Sequence, residues 1–255
     1  MKIEKLANLI EEFAPLSLQE DWDNSGFQIK AKSEVNRVLI ALELTSAVID
    51  EAIENGCDMI LTHHPLFFEE VKMIDYGTVK GGFINRLIDE DISVYSSHTP
   101  FDICDGGNND YIGKLINAKD VMLIPGDEDK ICRMSWVEPT KMSDFIELLA
   151  GKFMIDKKYF NFSGDINATV NKVGWCSGAG AEFVNLAKAA GCDTFITGDL
   201  KYHQAIEAKE IGINVIDCGH YGTEHIFIEN MAQKLSKCGV EIVKSKVDAN
   251  PFNLF

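Results

Sequence analysis

The run Asp58-Met59-Ile60-Leu61-Thr62-His63-His64-Pro65 decides how this chain is read. Its apolar, β-rich start predicts a buried strand, Asp58 to Thr62, that feeds directly into two adjacent histidines and a proline. Upstream, Val38 to Leu42 (VLIAL) predicts another buried strand, and a helix capped by Ser46 passes through Ala52 and Ile53 to end near Gly56. Leu6, Ile10 and Phe13 recur at helical spacing before Pro15 and predict an amphipathic first helix. Downstream come a helix around Gly82 to Asp89, a strand at Ile92 to Ser96, and then His98. Short apolar strands alternating with helices of about ten residues are the pattern of parallel α/β construction.

The polar stretch Ile124 to Lys130 (IPGDEDK) carries Pro and Gly and reads as a linker, dividing the chain into a lobe at 1–125 and a second α/β lobe at 126–255. The second lobe reads as a strand Ile131 to Val137, a helix Ser143 to Gly151, a strand Val170 to Trp175, a glycine-rich turn and a helix Glu182 to Ala190. A strand Thr194 to Thr197, a helix Lys201 to Glu210, a strand Asn214 to Asp217 and a helix Glu224 to Leu235 follow, the last expected to pack back at the lobe interface.

Twenty-four Lys plus Arg stand against 40 Asp plus Glu, a net charge of -16, which disfavours extended nucleic-acid binding; a compact phosphate held through a metal stays open. Seven cysteines, with no C-x-x-C pair, argue against a disulfide framework or a zinc knuckle and fit a reducing cytoplasm. No apolar run approaches the roughly 20 residues that span a bilayer, and the charged N-terminus does not read as a signal peptide.

The six histidines lie in a few short segments, most of them just after a predicted strand, where open α/β sheets gather ligands. Adjacent side chains diverge, so His63 and His64 suit two neighbouring ions better than one. Asp102 follows His98 by four positions, and Pro100 between them helps shape an irregular loop that could aim both at one point; alone, Asp102 reads as a turn residue. His220 sits in a glycine-flexed loop and Glu224 in the first turn of the following helix, where the macrodipole favours a carboxylate that could bridge two cations. His63, His64, Asp102, His220 and Glu224 make an imidazole and carboxylate set without thiolates, suited to zinc, iron or manganese, and two divalent ions per chain give a dinuclear hydrolytic centre.

The other signals are weaker. Asp199 reads first as a helix cap, His98 as a pocket residue, and His203 and His225 as orienters or surface groups. The turn Gly174 to Gly180 matches neither the dinucleotide nor the P-loop pattern, although its amides could cradle an anion. Cys176 and Cys218 have no sequence-local base and are not read as nucleophiles.

The ordered motifs Trp22-Asp23-Asn24-Ser25-Gly26-Phe27-Gln28, Thr62-His63-His64-Pro65-Leu66, Ser97-His98-Thr99-Pro100-Phe101-Asp102, Gly198-Asp199 and Gly219-His220-Tyr221-Gly222-Thr223-Glu224 resemble those of the GTP cyclohydrolase I type 2 family, also called the Nif-three-like family. The resemblance runs through nearly the whole chain. It implies a two-lobed α/β fold with mixed sheets flanked by helices, a dinuclear metal centre between the lobes, and a toroidal homohexamer. It carries the metal ligands onto the same five residues, with Glu224 touching both ions, and places His98 beside them in a catalytic role. Glu43 stands where the family more often has an aspartate. The implied activity is hydrolytic opening of the guanine imidazole ring of a small-molecule nucleotide. Alternatives are a metal-dependent phosphoesterase or other hydrolase, and a non-catalytic metal-binding or interaction protein.

Overall fold

The computed structural model describes residues 1–254. The chain divides into two compact units, Met1–Cys104 with Phe227–Ala249, and Asp105–Ile226 with 250–254.

The first unit opens with α1 (Ile3–Glu11), which buries Ile3, Leu6, Ala7 and Ile10, the 3.6-residue stripe read from the sequence. Then come β1 (Gly26–Ile29), β2 (Arg37–Ala41), α2 (Ser46–Glu54), β3 (Met59–Thr62), α3 (Val79–Asp89), β4 (Ser93–Ser96) and the short α4 (Thr99–Ile103). Strands β2, β3 and β4 are parallel neighbours, while β1 lies antiparallel on the outer side of β4. All four positions of β3 and of β4 are buried, as expected of parallel strands covered on both faces. The cap of α2 is Thr45 rather than Ser46: its hydroxyl accepts from Val48 N at 3.2 Å. The segment after β4, expected as an irregular loop, forms α4 instead, because Pro100 sits in the first turn, where its missing N–H costs nothing.

The second unit holds α5 (Asn108–Leu115), β5 (Lys119–Leu123), β6 (Arg133–Lys141), α6 (Met142–Phe153), β7 (Asn161–Ser163), β8 (Thr169–Trp175), α7 (Val184–Ala189), β9 (Thr194–Thr197), α8 (Tyr202–Ile211), β10 (Asn214–Asp217) and α9 (His220–Glu224). Its mixed sheet runs β5-β6-β8-β9-β10-β7, with β8, β9 and β10 parallel. Trp175 is fully buried, and its indole N–H donates to Asn109 O at 2.7 Å, which satisfies the ring's one polar atom.

The boundary falls after Cys104, not near 125. Strand β5 pairs antiparallel with β6, Leu123 opposite Arg133, so the polar stretch 124–130 is the connection of two neighbouring strands and not a linker. Asp127 within it is buried and accepts from Cys132 N at 2.7 Å. Ile112 and Ile116 of α5 join the same core as Trp175.

The helix expected over Glu224 to Leu235 is two helices. After α9 the chain returns to the first unit as α10 (Phe227–Leu235) and β11 (Glu241–Lys244). α10 buries Phe227, Met231 and Leu235 among Ile3, Leu6 and Ile10, and β11 pairs parallel with β2, completing the order β1-β4-β3-β2-β11. Among the described residues no helix is long and apolar enough to cross a membrane.

Candidate metal centre

In the first unit, register alone brings the donors together. β3 and β4 are adjacent and parallel with Thr62 opposite Ser96, so the residues leaving their carboxyl ends, His63-His64 and Ser97-His98, emerge side by side. Thr62 Oγ1 and Ser96 Oγ share a hydrogen bond of 2.8 Å at this exit. The rings of His63, His64 and His98 have centroids 5.0 to 5.3 Å apart, and each offers a nitrogen within 4.8 Å of the others'. Asp102 Oδ2, on α4, lies 3.4 Å from His63 Nε2. Phe227 packs its ring 5.0 Å from that of His63 and closes the apolar side.

Each imidazole is turned by an acceptor at Nδ1. His63 donates to Ser97 O at 3.0 Å, His64 to Glu43 Oε2 at 2.7 Å, and His98 to Asp23 Oδ1 at 2.9 Å. A carbonyl or carboxylate oxygen can only accept, so a hydrogen sits on Nδ1, and in the neutral imidazole the lone pair is then on Nε2. That is the tautomer and orientation a ligating or proton-accepting histidine needs. Burial works against the charge of Asp23, but hydrogen bonds from His98, Thr99 and Ser25 outweigh it and hold the carboxyl down at about 2.

The second unit repeats the device with different chemistry. β9 and β10 are parallel with Thr197 opposite Asp217, so Gly198-Asp199 and Gly219-His220 leave side by side. His220 Nδ1 donates to Asp199 Oδ2 at 2.8 Å, and its Nε2 lies 2.9 Å from Glu224 Oε2. Burial disfavours the imidazolium, but the carboxylates of Glu224 and Asp199 push its pKa up to about 9. A divalent cation would compete with that second proton for Nε2. Glu224 is buried at the end of α9, not in a helical first turn, so a helix macrodipole does not stabilise it.

Glycine makes the room for Glu224. Gly178 has φ +61°, and a Cβ there would stand 2.2 Å from Glu224 Oε1; a Cβ on Gly198 would meet the His220 backbone nitrogen at 2.6 Å. Three amides of the glycine-rich turn are committed to side chains of the fold rather than to an anion. Ser177 N donates to Asn109 Oδ1, Gly178 N to Thr223 Oγ1 and Gly180 N to Thr197 Oγ1, each at 2.9 Å. Cys218 is buried and its thiol is pushed well above the ordinary range by that burial, which suits it to packing rather than attack. His203 is exposed on α8, and His225 stacks on Tyr221 with centroids 4.9 Å apart.

Of the residues expected from the sequence, His63, His64, Asp102 and His98 gather in the first unit, and His220 and Glu224 in the second. The donor set fits a divalent first-row ion: imidazole nitrogens and carboxylate oxygens, with no thiolate beside them. Asp23 and Glu43 have no role that the sequence indicates, and Asp199 holds His220 rather than capping α8, whose cap is Lys201. What marks them is their place across a turn or one strand over from a histidine.

Residues 1–251 match the model of Duf34/NIF3 (NGG1p interacting factor 3). The chain is 34% identical over 261 residues to the GTP cyclohydrolase 1 type 2 homolog of Clostridium perfringens, covering 99% of both. Among solved structures it is similar to protein SA1388 of Staphylococcus aureus, with TM-score 0.91 and 27% identity over 100% of this chain and 99% of that one. It shares its fold with a Bacillus cereus protein related to NIF3, with TM-score 0.93 and 21% identity, covering 100% and 99%.

Proposed function

The chain belongs to the Duf34/NIF3 family, and from that premise we propose that it is a dinuclear metal-dependent hydrolase that opens the imidazole ring of GTP. The observation that carries the reading is the uniform setting of the histidines: His63, His64, His98 and His220 each have Nδ1 engaged by an oxygen. His63, His64 and Asp102 from the first unit and His220 and Glu224 from the second are the proposed ligands of two zinc, iron or manganese ions. A divalent ion held by this set supplies Lewis acidity and makes water acidic enough to react at neutral pH.

The chain's own part in the reaction centres on His98. With its hydrogen fixed on Nδ1 by Asp23, Nε2 takes the proton released as water attacks and returns it to the departing ring nitrogen. Asp23 stays ionised throughout and stabilises the imidazolium that forms, as an orienting carboxylate does in a hydrolytic triad. Glu43 and Asp199 keep His64 and His220 aimed.

The choice of substrate is supported by the relatives, which are GTP cyclohydrolase 1 type 2 homologs. Formate release from GTP by wild type, lost in His98→Ala with metal content unchanged, supports the reading. Turnover of simple phosphate esters without any GTP opening would replace it with a phosphoesterase, and tight metal binding without turnover across a broad panel would leave a binding protein. A homohexamer is proposed from the family resemblance alone, and light scattering on the eluting protein tests it.

A further inference from the structure

Two aromatic side chains beside His98 have no part in holding metal. Trp22 is 59% and Phe68 45% exposed, although large apolar rings gain by burial. The two rings lie near-parallel, with centroids 6.4 Å apart and planes 27° apart, and both meet the His98 ring edge-on, at 5.5 and 5.8 Å. Their positions are fixed by the backbone around them. Asn24 Nδ2 donates to Phe67 O at 2.8 Å and Phe67 N donates to Gln28 Oε1 at 3.1 Å, tying the segment after the histidine pair to the one that carries Trp22. The neighbouring Asp23 is buried and bonded to His98, Ser25 and Thr99, so the base of Trp22 is anchored to the proton-transfer group itself.

Exposed aromatic faces held rigidly beside a reactive imidazole favour one kind of ligand. A flat π-system stacks on them irrespective of its hydrogen-bonding pattern, whereas a sugar phosphate or a short acyl chain gains little there. We propose that Trp22 and Phe68 are the platform on which a planar heteroaromatic ring of the substrate stacks next to His98, with Trp22 setting the preference for substrates that carry such a ring. The inference rests on the hydrolase reading for its chemistry and adds to it the residues that hold the substrate's ring.

The test is calorimetric titration of the full chain with guanosine 5′-monophosphate and with ribose 5-phosphate, which lacks the ring. Trp22→Leu, Trp22→Phe and Trp136→Ala are compared with wild type, and metal content is measured in each preparation. Wild type should bind the nucleotide and not ribose 5-phosphate. Trp22→Leu, which keeps apolar bulk, should weaken nucleotide binding about tenfold or more, while Trp22→Phe keeps most of it. Trp136, exposed on β6 in the other unit, should be indifferent. Equal nucleotide affinity in Trp22→Leu, equal affinity for ribose 5-phosphate, or no nucleotide binding by wild type would each overturn the platform. Because the readout is binding, a wild type that holds no metal yet binds the nucleotide through Trp22 would sink the hydrolase reading and keep the platform.

Discussion

The exit of β3 and β4 and the exit of β9 and β10 use the same topology to opposite effect. In both, two adjacent parallel strands end in register and release short polar segments side by side. The first exit is built of imidazoles: His63 is fully buried and His98 nearly so, and carbonyl and carboxylate oxygens aim them from behind. The second places one imidazole between two carboxylates, with its side chain still 37% exposed, and depends on two glycines for space. One half is made by what the side chains accept from and donate to. The other is made by side chains that are missing.

That contrast dictates where each half breaks. Gly198→Ala should have the largest effect, since the new methyl meets the backbone of His220 and cannot be relieved by a rotamer change. Overpacking of this kind costs roughly 1–3 kcal/mol, and thermal unfolding should show a Tm lower by several degrees. Gly178→Ala meets side chains, chiefly the movable end of Glu224, rather than backbone, but must take a left-handed φ of +61° that costs about 1 kcal/mol, so Tm should fall somewhat less while bound metal is lost; metal retained at the wild-type level would refute the cradle. In the first unit Asp23→Asn should lower turnover by about 100-fold or more with metal content intact, because Ser25 and Thr99 donate to Oδ2 and hold the amide oxygen there, which turns the amide NH2 toward His98 Nδ1 and selects the wrong tautomer. Glu43→Ala should weaken metal affinity by about 10- to 100-fold through His64. Asp199→Asn, which keeps an amide oxygen able to accept from His220 Nδ1, should cost less than Glu43→Ala in the same chelator competition, and a larger loss would reverse that ranking.

The sequence made the buried parallel strands legible because an unbroken apolar run bounded by turns has few other readings. β3, β9 and β10 lie where the runs at Asp58, Thr194 and Asn214 put them. β1, β5, β7 and β11 carry no such run, and β1 and β5 show why. The first is four residues long and begins at a glycine with φ +110°, and the second is exposed along its length, so neither carries the apolar run of a core strand. The boundary is hidden for a related reason: a polar stretch with Pro and Gly looks alike whether it joins two units or two paired strands, and only the pairing of β5 with β6 distinguishes them. The return of Phe227 to the first core is equally silent in sequence, since an amphipathic stripe does not say which core it faces. Histidines after strands announced themselves through residue type and position. Asp23 and Glu43 did not, because their partners lie 75 and 21 residues away and a carboxylate alone is ordinary surface.

The reading stands or falls on metal. Mass spectrometric metal analysis of protein purified without added ions, set beside His64→Ala and Glu224→Ala, tests it most directly, since those two residues come from different units. A dinuclear centre requires about two divalent ions per chain in wild type and a clear loss in both variants. Metal at background level in wild type, even after reconstitution with zinc, iron or manganese, would contradict it.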